Sequence, residues 1–258
     1  MTIGSESITT YADEEQALLV RLDPSPRDIA ALVDKVRDGS RVDNENLVGH
    51  EHIDHLIPKP WGFEYRVYVD DFLDVWQLAI DPEHGTSMHV HPRKLTYLLC
   101  LGGSGVTETL AGEIPVHEGV VLRIAGGVFH STRATGDEPL HLVEVEVPRN
   151  KFDLIRLRDS YQRQNMQYEV EHRSVDSCPL RAVPYLPETR MRSNSPDGGF
   201  RFEIRSGMDI FYRRNPEDLY HIPLGIGGVV HREVEILGAH TGSRRPEVDQ
   251  YYLSLAKA

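Results

Sequence analysis

Cysteine is nearly missing: 258 residues contain only Cys100 and Cys178, far apart in the chain. That excludes a disulfide framework, and Cys100, inside the apolar run Leu98–Leu101, is expected to be a buried reduced thiol. Positive charge is also scarce, with 28 Lys and Arg against 40 Asp and Glu and a net charge of −12. Basic clusters such as Arg213-Arg214 and Arg244-Arg245 are dipeptides, too short to track a phosphate backbone. No nucleic-acid partner is therefore expected. No apolar run approaches the length of a bilayer span, so no membrane partner is expected either. Met1–Glu6 carries neither a basic leader nor an apolar stretch, which points to a cytoplasmic protein.

What is present reads as a globular chain, 40% hydrophobic and 26% charged, long enough for one large domain with additions. Two short helices are expected near the start. Asp13–Leu22 places acids in its first turn, and Ser25-Pro26 opens a second helix with Ile29, Leu32, Val33 and Val36 at helical spacing. Gly39 should end it. From Phe63 to Glu146 short alternating or apolar runs are separated by Gly, Pro and Asp, the pattern of an all-β sandwich or closed barrel. Residues 147–163 suit a short helix or an extended exit. Later, Phe200–Tyr212 and Val229–Leu237 read as strands, and Pro184–Gly199 reads as loop. The expected division is 1–57 (helical arm and loop), 58–163 (barrel) and 164–258 (β-rich extension).

Chemistry concentrates in Ser87–Thr96, which contains His89-Val-His91, and in Gly119–His130. Side chains alternate along a strand, so His89 and His91 share a face and could grip one cation with a third ligand from a neighbouring strand. His130 is the candidate third ligand, and Gly126-Gly127 before it could make a tight turn. Neutral imidazole suits zinc, iron, copper and nickel.

This spacing resembles the cupin superfamily, with motifs G-x5-H-x-H-x3-4-E-x6-G and G-x5-P-x-G-x2-H-x3-N. His89 and His91 fit, Thr96 stands where the ligand Glu is expected, and Gly103 closes the first motif. Glu83 occupies the opening Gly position. In the second motif Gly119, Gly127 and His130 fit, while Ala125 and Ala134 replace Pro and Asn. Over about residues 58–163 a finer resemblance appears. Pro58-Lys-Pro-Trp-Gly-Phe-Glu64 is similar to the opening segment of cupins related to type II mannose-6-phosphate isomerases. Glu146–Tyr161 is similar to the exit segment of sugar-phosphate-isomerase-like cupins. The resemblance implies an all-β jelly-roll barrel around a divalent metal (Fe, Zn, Mn or Ni) held by His89, His91 and His130. It leaves the reaction open, because one fold hosts many chemistries.

With Thr96 in place of the carboxylate, three neutral imidazoles leave a dication uncompensated, which favours anionic or chelating small-molecule substrates. Three functions follow: a sugar-phosphate isomerase- or epimerase-like enzyme, a three-histidine iron dioxygenase or related oxidative enzyme, and a non-catalytic small-molecule-binding cupin. Lys94 is a candidate catalytic and substrate-binding group at the pocket rim, the alternative being a solvated turn. Tyr97 (catalytic) and Arg123 (substrate-binding) are further candidates, with core packing as the alternative for each. Trp61 and Glu64 are expected to fill core and pair locally. A second H-x-H, His50 and His52 within Gly49–His55, lacks a strand pattern and a Gly-x2-His partner, and suits the pocket mouth better than the metal. His84, His117 and His141 have no ligand spacing. Pro223–His231 faintly echoes the second motif, so 164–258 could be a decayed second jelly roll. A homodimer is expected, with residues 13–38 or 200–237 covering a sheet edge.

Overall fold

The computed structural model describes residues 8–11, 18–42, 55–70, 73–150, 152–158, 173–174, 180, 191–224, 234–239 and 245–258. Three sheets and one docked helix form layers.

The large sheet has nine strands. Their order is β1 (Ile8–Tyr11), β2 (Leu18–Leu22), β10 (Val120–Ile124), β7 (Leu95–Gly102), β12 (Leu140–Val147), β5 (Asp74–Ile80), β4 (Gly62–Val69), β3 (His55–Lys59) and β14 (Arg173–Ser174). Facing it is a five-stranded sheet ordered β13 (Ile155–Arg158), β6 (Met88–Val90), β11 (His130–Ala134), β8 (Ser104–Thr109) and β9 (Glu113–His117). Between the two lies one apolar core, including Trp76, Leu78, Leu98, Leu122, Ile114 and Val116. The jelly roll expected from the sequence is these two sheets.

The C-terminal region adds a third sheet, ordered β15 (Arg192–Asn194), β16 (Phe200–Ser206), β19 (Tyr251–Lys257), β17 (Asp218–Pro223) and β18 (Leu237–Gly238). It packs on the outer face of the large sheet. Phe202, Ile204, Tyr220, Ile222, Leu253 and Leu255 meet Tyr65, Val67, Leu99, Leu101, Val143 and Val145 there. Polar ties cross the same interface: Tyr220 Oη donates to the Cys100 carbonyl at 2.9 Å and accepts from Gly119 N–H at 3.1 Å. Among the described residues the extension therefore adds this sheet behind the barrel and the edge strand β14 of the large sheet.

The N-terminal reading needs correction. Leu18–Leu22 is a strand, paired parallel with β10, and not the end of a helix. Val20 and Leu22 are both buried in the barrel core, and that burial outweighs helix propensity over so short a run. The second helix forms as α1 (Pro26–Arg37), with Pro26 at its start and a Ser25–Asp28 capping box. Its contact face differs from expectation: Ala31 and Leu32 pack on Met88, Val90 and Phe129, while Ile29, Val33 and Val36 stay exposed. Phe200–Tyr212 splits into strand β16 and helix α2 (Gly207–Tyr212), opened by Ser206 accepting from Asp209 N–H. Residues 12–17, His50, His52, Cys178 and 225–233, with the motif echo they carry, lie outside the described residues. No helix among the described residues is long and apolar enough to cross a membrane.

Candidate metal centre

β6 is only three residues long, and its alternation decides the site. Met88 and Val90 point outward to α1, so His89 and His91 point into the barrel. His130 begins β11 directly opposite His89 in the antiparallel ladder. Phe129 before it packs outward with Val90, which turns His130 inward. The turn that brings the two motifs together depends on Gly127. Its φ of 93° is the left-handed conformation that glycine enters freely, and its N–H donates to the His91 carbonyl at 2.9 Å.

The three rings form a triangle with centroid separations of 4.8, 4.5 and 5.3 Å. One nitrogen from each lies within 4.8 Å of the others. Each Nδ1 meets a main-chain carbonyl: Ser87 at 2.7 Å for His89, Asp153 at 2.7 Å for His91 and Val128 at 3.1 Å for His130. A carbonyl can only accept, so Nδ1 holds the proton and Nε2 the lone pair. Burial pushes all three imidazoles below their usual pKa; His130 adds to this at His89, and Lys94 adds to it at His91. They are neutral at neutral pH, the form that ligates metal. His91 Nε2 is buried without a hydrogen-bond partner, which is the state a ligand nitrogen needs before its metal arrives. Three oriented, neutral imidazoles fit a divalent cation, and the carbonyl partners are the outer support such ligands use.

Asp153, fully buried, organises this arrangement from the exit segment. Its carbonyl orients His91 while one carboxylate oxygen accepts from Arg93 N–H at 2.8 Å and Lys94 N–H at 3.1 Å.

Beside the histidines a cavity opens against the large sheet. Charged side chains line it in both signs: Lys59, Lys94 and Arg156 with Glu64, Glu144 and Glu146. Lys94 is neither at a rim nor in a solvated turn. It is buried, and its ammonium donates to Glu146 Oε1 at 2.6 Å. Glu64 lies 3.7 Å from Lys59, and Trp61 is buried in the barrel core, as expected. Glu144 Oε1 lies 3.9 Å from His91 Nε2.

Tyr97 and Arg123 are not brought to this cavity. Tyr97 alternates onto the outer face of β7, where it packs under the C-terminal sheet and accepts from Val234 N–H at 3.1 Å. Arg123 is its cross-strand neighbour on β10, 3.7 Å from Asp23. Thr96 does face inward, buried, with no hydrogen-bond partner for Oγ1. Sequence reasoning missed Glu144, Glu146, Lys59 and Arg156. The signal for the two acids was the alternation in Leu140–Val147, which places Leu142, Glu144 and Glu146 on one face. That pattern usually sends the acids to water.

Residues 76–146 match the family model for the cupin domain. Over these residues the chain is similar to cupin domains. Mannose-1-phosphate guanylyltransferase ManC of Salmonella typhimurium (strain LT2) is 24% identical over 166 residues, 63% of this chain and 32% of that protein. The mannose-1-phosphate guanylyltransferase of Escherichia coli (strain K12) is also 24% identical over 166 residues, covering 63% of this chain and 33% of its own. The chain thus spans about a third of the length of these curated relatives. Among solved structures, KdgF from Halomonas sp. aligns over 43% of this chain and 96% of its own, at 17% identity and a TM-score of 0.36. The cupin motifs explain their own exceptions here. Glu83, in the opening glycine position, has a φ of 63°, which costs an L residue about 1–2 kcal/mol. Gly103 has a φ of 82°, and a Cβ there would stand 2.4 Å from the Pro139 carbonyl oxygen.

Proposed function

We propose that this protein is a cytoplasmic, metal-dependent cupin enzyme acting on a small anionic, oxygenated metabolite, with chemistry of the sugar-phosphate isomerase or epimerase kind. One observation carries the reading: of three neutral histidines gathered at one centre, His89 and His91 stand at the wall of a cavity lined by opposed charges. When bound, a divalent cation at His89, His91 and His130 would supply Lewis acidity toward substrate oxygens. Lys94 and Glu146 share a short hydrogen bond within the cavity, so either is placed to take or return a proton at a substrate carbon. Lys59 and Arg156 provide cationic contacts for a phosphate or carboxylate. The curated relatives are named for mannose-1-phosphate, which supports a sugar-phosphate substrate class.

The test begins with elemental analysis of protein purified without added metal, followed by hexose- and pentose-phosphate isomerisation followed by NMR. About one divalent ion per chain and proton exchange at the substrate carbon are expected. A stoichiometry near zero that zinc, manganese and iron all fail to restore would remove the basis of the proposal. Thr96, in place of a carboxylate, favours an iron oxygenase as the rival. Oxygen uptake with ferrous iron and turnover that ceases under anaerobiosis would support that rival.

A further inference from the structure

The small sheet sets one more charged side chain in the row of the histidines. Arg156 on β13 stands directly opposite His89 on β6, and His130 on β11 stands opposite the same residue from the other side. Ile155 packs outward with Met88 and Val90, so alternation turns Arg156 inward with His89. The row Arg156–His89–His130 therefore crosses three neighbouring strands on the inner face of the barrel.

Arg156 is 9% exposed and lines the cavity together with His89 and His91. Directly opposed residues of an antiparallel pair carry their Cβ atoms about 4.5–5.5 Å apart. The guanidinium is felt at the ring. Burial pushes the His89 imidazole below its usual pKa, His130 and Lys94 add to this, and so does Arg156. A guanidinium is a planar fork of donors that matches two oxygens of a carboxylate or phosphate, whereas the Lys59 ammonium is a point charge. With the fork in the histidine row, only a short span separates an anion held on it from a substrate oxygen that faces the rings.

We infer that Arg156 determines specificity by taking an oxyanion carried on, or next to, the substrate carbon whose oxygen faces the histidines. The inference rests on the reading of an anionic, oxygenated metabolite at this centre and narrows it. A carboxylate or phosphate beside a hydroxyl or carbonyl group fits; an anion at the far end of a chain does not.

NMR titration of the zinc-loaded full chain, isotopically labelled at arginine, tests this with two probes. Glycolate carries its hydroxyl next to the carboxylate, and γ-hydroxybutyrate separates the same groups by two further carbons. Glycolate should move the Arg156 Nε–H resonance, identified by its loss in Arg156→Gln, and bind at least tenfold more tightly than γ-hydroxybutyrate. Arg156→Gln should bind glycolate at least tenfold more weakly, and Arg156→Lys, with the charge but not the fork, should fall between. An unmoved Arg156 resonance, γ-hydroxybutyrate binding as tightly as glycolate, or glycolate binding to Arg156→Gln within threefold of the unaltered protein would overturn the inference. Thermal melts separate loss of the anchor from loss of fold. Should Arg156→Gln prove unstable, Arg156→Lys decides, and glycolate binding equal to that of the unaltered protein would overturn the inference. A chain that takes up no zinc is titrated as it stands, with the same outcomes deciding. Arg156-dependent glycolate binding in a protein that isomerises no sugar phosphate would sink the isomerase reading and leave this one standing.

Discussion

Lys94 and Glu146 carry opposite charges at 1% and 0% side-chain exposure, so their contact offsets part of the cost of burying each. Lys94→Met leaves the Glu146 carboxylate buried without that partner and should cost about 3–5 kcal/mol, the usual penalty for breaking a buried pair. Removing both charges, in Lys94→Met with Glu146→Met, should recover most of that loss, because the desolvation burden disappears with the pair. Urea unfolding of the metal-free proteins measures both. Equal destabilisation of the single and double variants would show that packing, and not charge, sets the cost. The same comparison bears on function: a proton carrier at this pair predicts that both variants lose turnover even where stability returns.

Within the elements, α1 does more than cover a sheet. Asp28 closes the capping box with Ser25 N–H at 2.8 Å, and its other carboxylate oxygen accepts from Phe129 N–H at 2.9 Å. One carboxylate therefore caps the helix and satisfies a buried backbone donor in the residue before His130. Asp28→Ala should destabilise the protein by about 2–4 kcal/mol, combining a lost cap with an unsatisfied donor. Ser25→Ala should cost about 1 kcal/mol, the cap alone. Calorimetric melts of the two variants provide the check; equal losses would mean that the Phe129 contact is unimportant. The element-level surprise in this region has the same origin. Leu18–Leu22 became a strand because β10 offered both a ladder and a core, neither visible in the local pattern. Asp153 likewise belongs to an exit segment whose sequence shows no ligand spacing, yet it positions His91 through its main chain.

Across the whole molecule, the C-terminal sheet introduces a pH dependence. His221 lies on its far face, bonded to Ser254 Oγ at 2.9 Å, and burial with the nearby Arg205 pushes its pKa down to about 4. The unfolded chain would protonate this ring near pH 6.5, well before the folded one. Its contribution to stability is thus present above pH 6.5 and lost as the pH falls through 4, on the order of 3 kcal/mol at most. His89, His91, His130 and His141, also lowered by burial, push in the same direction. His221→Asn, which keeps a donor near Nδ1, should therefore flatten the stability–pH curve between 6.5 and 4 relative to the unaltered protein. A parallel curve would rule out His221 as a source of the acid lability.

By itself the sequence determined the parts of the site that depend on local period and spacing. Alternation placed His89 and His91 on one face, Gly127 allowed the turn to His130, and Ser25-Pro26 marked where α1 begins. Those are local properties of backbone and side chain, legible without a partner. Only the tertiary structure decided which face of each strand is inside. Val143, Val145 and Val147 alternate with Glu144 and Glu146, and the pattern alone sends the valines to the core and the acids to water. The C-terminal sheet covers the valines, so the acids turn into the barrel, toward Lys94 and His91. The same covering holds Tyr97 on the outer face, away from the cavity. A strand sandwiched between two layers has two interiors, and the one that holds the chemistry is set by what packs against it from afar.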